Sequence, residues 1–425
     1  MTNLLDELRW RGLLSEVTDG LEEAFEKEHV TAYIGFDPTA SSLHVGSLLT
    51  VMGLARLQRF GHSPIAIVGG GTGMIGDPSG KSQERVLLTR EKVDENVAGI
   101  RHQLERFLDF DRAGNPARIV NNADWLAEFD LLGFLRDTGK HFTVNYMLQK
   151  ESVNRRLESE EGISYTEFSY LLLQARDFLE LFDRFGCTLQ MGGSDQWGNI
   201  TAGIELIRKL RAKKTHGLVW PLMTTASGTK FGKTESGTIW LDAARTSPFR
   251  FYQFWLNTDD RDAAPYLKFF TFLDRPAIDA LEKATADAPE RREAQRVLAR
   301  EVTTLVHGAD QTTRAEHASS LLFGEDITTL SVEDVLEVFE DVPSTELPAA
   351  ALAGDGIGLV DLIVRAELAP SKTEARRLVE SGGIYVNNVR MTDPQMRLKP
   401  GHAIGGRVFL LRRGAKRQHI VKLAG

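Results

Sequence analysis

Two lysines stand three residues apart in the segment Lys230-Phe231-Gly232-Lys233-Thr234. Ammonium groups can neutralise the negative charge that builds up on phosphate groups while a phosphoanhydride bond breaks. Gly232 allows the backbone of such a loop to bend over its ligand. A second segment, His44-Val45-Gly46-Ser47, lies far upstream. We interpret the two segments as two halves of one ATP site.

The upstream segment belongs to residues 33–47, whose pattern predicts a strand, a turn and then a helix. We expect Ser41 or Ser42 to cap that helix, which would place His44 in its first turn. The unpaired backbone N–H groups and the positive dipole end of a helix favour bound phosphate at this position. Gly46 has no side chain and would let a flat purine approach the backbone.

A third segment places three polar side chains on one face of a predicted helix. Tyr170, Gln174 and Asp177 are spaced at i, i+4 and i+7 among leucines. Hydrogen-bonding groups that converge beside apolar residues suit a small, ring-bearing ligand with polar ends. Residues 192–199 follow a predicted strand and open a helix, which is where α/β sheets bind ligands.

Residues 69–82 are rich in glycine and partly match two nucleotide-binding motifs. Asp77-Pro78 follows the dinucleotide-like glycines at the point where a helix should open. Ile75 stands where a Walker-type phosphate loop needs glycine. These departures disfavour a dehydrogenase and a Walker-type loop. The segment is either a packed surface turn or a flexible loop that brings Asp77, Lys81 and Arg85 near a ligand.

The composition is that of a globular chain with an uneven charge distribution. The chain has 425 residues, of which 42% are hydrophobic, and its single cysteine, Cys187, excludes an internal disulfide and suits a reducing, cytoplasmic compartment. The net charge is −8, but residues 356–425 carry 13 Lys and Arg against 5 Asp and Glu. This basic segment favours a small nucleic-acid-binding module. Neither a secretory signal nor a membrane-spanning stretch is recognisable, so we expect no membrane partner.

Alternating apolar runs and helical patterns predict an α/β fold with a parallel sheet. Strands are expected at 32–36, 65–68, 119–120 and 188–191, and amphipathic helices at 1–29 and 89–110. Residues 384–386 and 408–411 predict strands of a second folded unit. The predicted domains are a Rossmann-like catalytic domain at 1–245, an α-helical domain at 246–322, a linker with a short helix (332–339) at 323–356, and a small α+β RNA-binding domain at 357–425.

In combination, these motifs resemble the bacterial tyrosyl-tRNA synthetases, a family of class I aminoacyl-tRNA synthetases, from one end of the chain to the other. Residues 44–47 correspond to the family's HIGH signature and residues 230–234 to its KMSKS loop. Residues 75–81, 139–146 and 192–199 resemble the tyrosyl branch rather than class I in general. Ser47 replaces the second histidine of the signature, which leaves the role of this position open.

The resemblance implies a two-step reaction that needs no protein nucleophile. The tyrosine carboxylate attacks the α-phosphate of ATP, which is bound with Mg²⁺, and expels pyrophosphate; the terminal adenosine of tRNA(Tyr) then takes the tyrosyl group. No prosthetic group and no metal site built from protein side chains are implied. The family also implies a homodimer that binds tRNA across both subunits, with residues 125–165 at the interface.

The resemblance further assigns residues to parts of the substrates. The tyrosine-binding residues are Tyr33 and Asp177 at the phenol hydroxyl, Asp77, Tyr170 and Gln174 at the ammonium group, and Gln196 near the carboxylate and α-phosphate. The residues expected at the nucleotide's ribose, phosphates and base are Gly35, Asp37, Gly46 and Asp195. Those expected to act on the polyphosphate during catalysis are Thr39, His44, Lys81, Arg85, Lys230, Lys233 and Thr234. In the basic segment, Lys372, Arg376 and Arg377 are expected on one helix face, in contact with RNA.

Two alternatives to a tyrosine-specific ligase stay open from the sequence. One is a synthetase-like RNA-binding protein without aminoacylation activity, which the departure at Ser47 motivates. The other is activation of tryptophan in place of tyrosine.

Overall fold

The computed structural model describes most of the chain, which forms two compact units. The described residues are 3–79, 88–158, 160, 162–226, 228, 231–234, 237–322, 331–339, 342–414 and 417–424. The first unit comprises residues 1–246 with 255–306, and the second comprises residues 247–254 with 307–425. The division into four domains stays a prediction.

A six-stranded sheet forms the centre of the first unit. Its strands are β1 (Glu16–Val17), β2 (Thr31–Phe36), β3 (Ser63–Val68), β4 (Arg118–Asn121), β5 (Leu189–Gly193) and β6 (His216–Trp220). Their spatial order is β1-β6-β5-β2-β3-β4. All neighbours are parallel except β1, which pairs antiparallel with β6. The predicted α/β fold with a parallel sheet is therefore confirmed, with one antiparallel edge strand added.

Most residues of the sheet's central strands are buried because helices cover the sheet. The helices of the first 246 residues are α1 (Leu4–Trp10), α2 (Leu21–Lys27), α3 (Val45–Arg59), α4 (Arg90–Leu104), α5 (Ala123–Leu126), α6 (Leu131–Asp137), α7 (Val144–Leu148), α8 (Glu151–Leu157), α9 (Tyr165–Phe185) and α10 (Trp197–Arg211). Helix α3 packs on β2 and β3, and α10 packs on β5 and β6 and against α9. The helix predicted at 89–110 is confirmed as α4.

The prediction of one helix over residues 1–29 is wrong. The structure has two short helices, α1 and α2, separated by strand β1. Gly12 and Gly20 adopt φ values of +73° and +83° in this stretch. Such left-handed positions interrupt a right-handed helix, and glycine adopts them at little cost. Amphipathic spacing continued through the break, which is why the pattern did not reveal it.

Residues 247–322 are helical, as predicted. The helices are α11 (Pro248–Leu256), α12 (Asp260–Phe270), α13 (Arg275–Asp287), α14 (Glu293–His307) and α15 (Ala309–Leu322). Asp259 and Asp274 cap α12 and α13 by accepting backbone N–H bonds. Among the helices in the described part of the chain, none combines the length and the apolar character needed to cross a bilayer.

The second unit contains a five-stranded sheet of β9 (Ser344–Pro348), β11 (Ile384–Val386), β12 (Val389–Met391), β14 (Val408–Arg413) and β15 (Arg417–Ala424), in the spatial order β12-β11-β14-β15-β9. Other elements of its C-terminal part are α16 (Val332–Val338), β10 (Ile357–Gly358), α17 (Leu359–Arg365), α18 (Lys372–Glu380) and β13 (Arg397–Leu398). Helices α17 and α18 share a core with the sheet, in which Ile363, Val379 and Phe409 are buried. The predicted strands at 384–386 and 408–411 are confirmed as β11 and part of β14.

Part of the predicted linker is not a linker in the structure. Residues 344–348 form strand β9, which pairs parallel with β15. Leu347 and Leu352 lie in the core of the second unit. The Pro- and Ala-containing composition suggested a connection, but burial of these leucines and backbone pairing with β15 fix the segment in the sheet. The short helix predicted at 332–339 is confirmed as α16.

Candidate active site

A cavity of about 640 Å³ opens at the carboxyl ends of the parallel strands in the first unit. Ligands bind at this edge of open α/β sheets because loops and helix N-termini converge there. Its lining includes twelve of the residues singled out in the sequence: Tyr33, Gly35, Asp37, Thr39, His44, Gly46, Asp77, Tyr170, Gln174, Asp177, Asp195 and Gln196. The fold thus brings the segments at 33–46, 77, 170–177 and 195–196 into one site.

One end of the cavity holds the Tyr33 hydroxyl and the Asp177 carboxylate, which come from β2 and α9. Both residues are buried, at 1% and 3% exposure. The Tyr33 hydroxyl accepts and donates no hydrogen bond among the described residues. Burial, and then the neighbouring Asp177 charge, raise the pKa of the Tyr33 phenol well above its ordinary value. A buried hydroxyl without a partner is costly, so this end of the cavity suits a ligand with a hydrogen-bonding group.

Asn122 and Trp125 hold the Asp177 carboxylate, and the sequence analysis identified neither. Trp125 Nε1 donates to Asp177 Oδ1 over 2.7 Å, and Asn122 Nδ2 donates to Asp177 Oδ2 over 2.9 Å. Burial raises the pKa of the Asp177 carboxyl to about 7, although these two hydrogen bonds oppose the shift. Asn122 directly follows strand β4. Its position at a strand's carboxyl end was a usable signal for a site residue.

Asp37 links the nucleotide segment to helix α9. Tyr170 donates its hydroxyl proton to Asp37 Oδ2 over 2.9 Å, and Thr72 Oγ1 donates to Asp37 Oδ1 over 2.8 Å. Burial and the charge of Asp37 raise the pKa of the Tyr170 phenol well above its ordinary value. Tyr170 therefore remains a hydrogen-bond donor over the whole physiological pH range.

A chain of side-chain amides lines the next part of the cavity. Gln196 Nε2 donates to Asp77 Oδ2 over 2.8 Å, and Gln174 Nε2 donates to Gln196 Oε1 over 3.2 Å. Asn199 Nδ2 donates to Gln174 Oε1 over 2.9 Å and lies 3.3 Å from Gln196 Oε1. The sequence analysis included Asn199, which lies one helical turn after Gln196, in the segment 192–199 but gave it no role of its own. Because each amide orients the next, the network presents fixed donors and acceptors to a polar ligand.

At the other end of the cavity, the turn before α3 contacts Gly232 and Ile239. Val45 N donates to Ile239 O over 3.0 Å, and Ile239 N donates to Gly232 O over 3.3 Å. A Cβ on Gly232 would stand 2.9 Å from Val45 Cγ2 and 3.3 Å from Gly46 N, so only glycine fits this close approach. The backbone of residues 231–232 therefore lies directly against the histidine-containing turn.

The capping of the helix that follows this turn differs from expectation. Helix α3 begins at Val45 with His44 as its N-cap, so neither Ser41 nor Ser42 caps it. The Ser42 hydroxyl instead donates to Leu43 O and accepts a bond from Gln103 Nε2. A Cβ on Gly46 would stand 2.8 Å from His44 Cε1. The His44 imidazole thus lies beside Gly46 in this structure, and the approach of a purine to the Gly46 backbone stays a prediction.

Several predicted catalytic residues cannot be placed in this cavity. Lys81, Arg85 and Lys230 lie outside the described residues. Lys233 and Thr234 form β7, a two-residue strand that pairs antiparallel with β8 (Gly237–Thr238). Within the described parts of the chain, no three or more His, Cys, Asp or Glu side chains are grouped to hold a metal ion.

The predicted RNA-contacting residues lie on α18 in the second unit. Lys372, Arg376 and Arg377 are exposed, whereas Ala375 and Val379 of the same helix are buried. Lys372 Nζ lies 2.6 Å from a carboxylate oxygen of Asp361. The helix therefore presents its basic side chains to solvent and its apolar face to the core.

Two protein-family models match the chain. Residues 26–324 match the family described as tRNA synthetases class I (W and Y). Residues 334–421 match the tyrosine–tRNA ligase SYY-like C-terminal domain. The chain belongs to the tyrosyl group of class I tRNA synthetases.

Curated members of this synthetase family are similar over the whole chain. A tyrosine–tRNA ligase of Roseiflexus castenholzii is 58% identical over 423 residues, covering 100% of both chains. A tyrosine–tRNA ligase of Geobacillus stearothermophilus is 53% identical over 425 residues, covering 99% of this chain and 100% of the relative.

Among solved structures, the C-terminally truncated mitochondrial tyrosyl-tRNA synthetase of Aspergillus nidulans is similar with a TM-score of 0.69 and 33% identity. That similarity covers 76% of this chain and 95% of the other. A tryptophanyl-tRNA synthetase of Encephalitozoon cuniculi, at 14% identity and a TM-score of 0.51, shares the fold.

Proposed function

We propose that this protein is a tyrosine–tRNA ligase that activates L-tyrosine with ATP and transfers it to tRNA(Tyr). One observation carries the proposal: a single cavity joins a buried phenol–carboxylate pair to the turn at which the HIGH-like and KMSKS-like segments meet. Membership of the synthetase family and 58% identity to a curated ligase over the whole chain support it.

The buried end of the cavity is the proposed site for the tyrosine side chain. The substrate's phenol hydroxyl would donate to the Asp177 carboxylate and bond with the Tyr33 hydroxyl. Asn122 and Trp125 each donate one hydrogen bond to this carboxylate, which can accept further bonds. Phenylalanine would leave both buried groups unpaired, a penalty that hydrophobic contacts do not offset.

The amide network is the proposed site for the amino acid's polar end. The ammonium group would bind near Asp77, Tyr170 and Gln174, and Gln196 would lie beside the carboxylate. Asp77 Oδ2 accepts a bond from Gln196, which ties the two ends of this subsite together. The carboxylate is thereby held in line with the α-phosphate, and holding reactants in line is the main catalytic contribution of such a site.

The nucleotide is proposed to bind along β2 and the turn before α3. Gly35, Asp37, Gly46 and Asp195 would contact its ribose, phosphates and base, while Thr39 and His44 would contact the polyphosphate. ATP would enter with Mg²⁺ as part of the substrate. Lys81, Arg85, Lys230, Lys233 and Thr234 would stabilise charge on the departing pyrophosphate.

The tRNA is proposed to bind partly through helix α18. Its exposed Lys372, Arg376 and Arg377 would contact phosphates, which gives salt-dependent binding with little sequence preference. Replacing all three by glutamine should raise the KM for tRNA without changing tyrosine activation.

The protein is proposed to act as a homodimer in the cytoplasm. Six apolar side chains in the stretch proposed for the interface are exposed in the isolated chain: Leu131, Leu132, Leu135, Val144, Leu157 and Tyr165. Exposed apolar groups of this kind favour association with a second copy. A Leu132→Asp substitution should shift the sedimentation coefficient toward that of a monomer.

Tyrosine-dependent exchange of labelled pyrophosphate into ATP tests the proposal. Exchange should require tyrosine, and phenylalanine and tryptophan should not replace it. Charging of tRNA(Tyr) should follow when tRNA is added. Exchange that proceeds without any amino acid would refute the proposed activity.

Neither open alternative has a specific observation in its favour. An RNA-binding protein without aminoacylation would not need Asp177 to be held by Asn122 and Trp125. Tryptophan activation would not use the paired hydroxyl-binding groups, Tyr33 and Asp177.

A further inference from the structure

Phe231 is the only large apolar side chain between Met223 and Ile239. It is 6% exposed, and therefore buried, although its neighbours along the chain are polar or glycine. We propose that Phe231 is a positioning residue, which fixes the backbone between Lys230 and Lys233 so that both lysines can reach the departing pyrophosphate. This inference rests on the proposed function.

An aromatic cluster from α11 and α12 holds the Phe231 ring. The ring stacks on Phe270 at a centroid distance of 5.3 Å and an interplanar angle of 18°. It meets Tyr266 edge-on at 5.0 Å and lies 5.8 Å from Trp255. These three partners are themselves buried, at 0–4% exposure. Such a cage restrains both the position and the orientation of the ring.

The opposite side of the same backbone is held by the turn that precedes α3. Gly232 adopts a φ of +82° and packs against Val45 and Gly46. Phe231 O would stand 3.9 Å from a Cβ on Gly46. The dipeptide 231–232 is thus enclosed between the aromatic cluster and the turn. In the sequence the two lysines flank this dipeptide, so an anchor at Phe231 would restrain the backbone next to each of them.

The cluster is connected to α3 a second time. Arg56, a buried residue near the end of α3, donates from Nη2 to the carbonyl oxygens of Phe269 and Thr271 over 2.7 and 3.0 Å. Arg11 donates to Lys268 O over 2.8 Å. These guanidinium groups satisfy the last carbonyls of α12, where Phe270 lies, and suit the negative dipole end of the helix. Helix α3 therefore positions both the His44 turn and the helix end that holds Phe231.

The inference can be tested by replacing Phe231 and measuring pyrophosphate exchange. Phe231→Ala should lower kcat by on the order of 10²-fold, which a misplacement of about 1 Å can cause. The KM for tyrosine should change less than about twofold, because the tyrosine-binding residues are untouched. Phe231→Met should restore most of the activity, since its flexible side chain can fill the same apolar space.

A double-mutant cycle separates positioning from general structural damage. In a chain that already carries Lys230→Ala and Lys233→Ala, adding Phe231→Ala should cost less than about threefold, because the groups that it positions are gone. Phe25→Ala serves as a matched control: Phe25 is equally buried, at 8% exposure, but packs against His62. It should lower the thermal unfolding midpoint and leave kcat within about twofold.

Three results would overturn this inference and leave the proposed function intact. The first is an unchanged kcat in Phe231→Ala, and the second is an equal loss of kcat and of tyrosine affinity. The third is a loss on adding Phe231→Ala that is the same whether or not the two lysines are present. If Phe231→Ala does not fold, Phe231→Leu replaces it in the same cycle, and Phe231→Met remains the variant that should restore activity. Absence of tyrosine-dependent exchange in the unsubstituted chain would refute the proposed function, and this inference with it.

Discussion

The two ends of the cavity are built in different ways. At the tyrosine end, Tyr33 of β2 lies beside a buried network in which Asp177 of α9 already accepts hydrogen bonds from Asn122, just after β4, and from Trp125 of α5. At the phosphate end, the described residues of the two signature segments meet where the backbone of Gly232 packs closely against Val45 and Gly46. The first end is suited to recognising a fixed shape, and the second to presenting charge.

This difference agrees with what each end is proposed to do. Selecting tyrosine depends on groups that are in place before the ligand arrives, since buried, preoriented groups penalise the wrong ligand most strongly. Stabilising pyrophosphate requires interactions that are stronger in the transition state than in the ground state. Substitutions at the two ends should therefore have different kinetic signatures.

The largest expected effect is at the phosphate end. Lys233→Ala should lower kcat for tyrosine-dependent exchange by about 10²- to 10³-fold, the usual cost of removing one group that stabilises transition-state charge. The KM for tyrosine should change little. Lys213→Ala removes an exposed lysine outside the cavity lining and serves as a control. Equal losses in kcat and tyrosine binding would contradict the proposed division of labour.

At the tyrosine end, Asp177→Asn should lower kcat/KM for tyrosine by roughly 10- to 100-fold, because a charged hydrogen-bond acceptor in a buried site is lost. The ratio of kcat/KM for tyrosine to kcat/KM for phenylalanine should also fall. Steady-state pyrophosphate exchange with each amino acid measures both values. Asp183→Asn, on the same helix but paired with Arg211, is the control and should change neither value. An unchanged preference would show that Asp177 does not recognise the hydroxyl.

A smaller effect is expected for Tyr33→Phe. Its buried hydroxyl has no partner among the described residues, so its removal should leave the free energy of unfolding unchanged or raise it by about 1 kcal/mol. The KM for tyrosine should rise by roughly 2- to 10-fold. Tyr266→Phe also removes a buried hydroxyl that has no partner in the described part of the chain, but this one lies outside the cavity lining. The Tyr266→Phe control should change the free energy of unfolding by an amount similar to that of Tyr33→Phe and leave the KM for tyrosine unchanged.

The smallest effects are expected from pH. The Asp177 pKa of about 7 lies above its ordinary value, so its charged form is disfavoured in the free protein. Tyrosine should bind more tightly as pH rises through about 7, because the carboxylate is the better acceptor for a phenol proton. Equilibrium titration with tyrosine between pH 6 and 8 measures this, and Asp177→Asn should abolish the dependence.

A separate pH effect should arise at the other edge of the sheet. His62 Nδ1 accepts a bond from Val30 N, and burial lowers the His62 pKa to about 4. Because its folded pKa lies below its ordinary value of 6.5, stability should decrease as pH falls from 6.5 toward 4. The thermal unfolding midpoint should fall between pH 6.5 and 4 in the Asp177→Asn variant as well as in the unsubstituted protein. If the Asp177→Asn substitution also removed the pH dependence of stability, the two pH effects would not arise from separate residues.

Much of the architecture follows from local patterns. Four parallel strands, helix α4, the helices of 247–322 and strands β11 and β14 were predicted from apolar runs and spacing. Strand β6 was missed because His216 and Gly217 interrupt its apolar pattern. Residues 344–348 were assigned to a linker because their pairing with β15 depends on residues that lie far away in the sequence.

Sequence alone determined which groups are available: two lysines around a Phe-Gly pair, a histidine before a helix, and three polar side chains on one helix face. Only the tertiary structure decided that Asn122 and Trp125 hold Asp177, that Asn199 orients the amides and that Phe231 is buried among aromatic rings. Periodicity reports which face of an element is apolar. It does not report which distant element covers that face, because this depends on the packing of the whole unit.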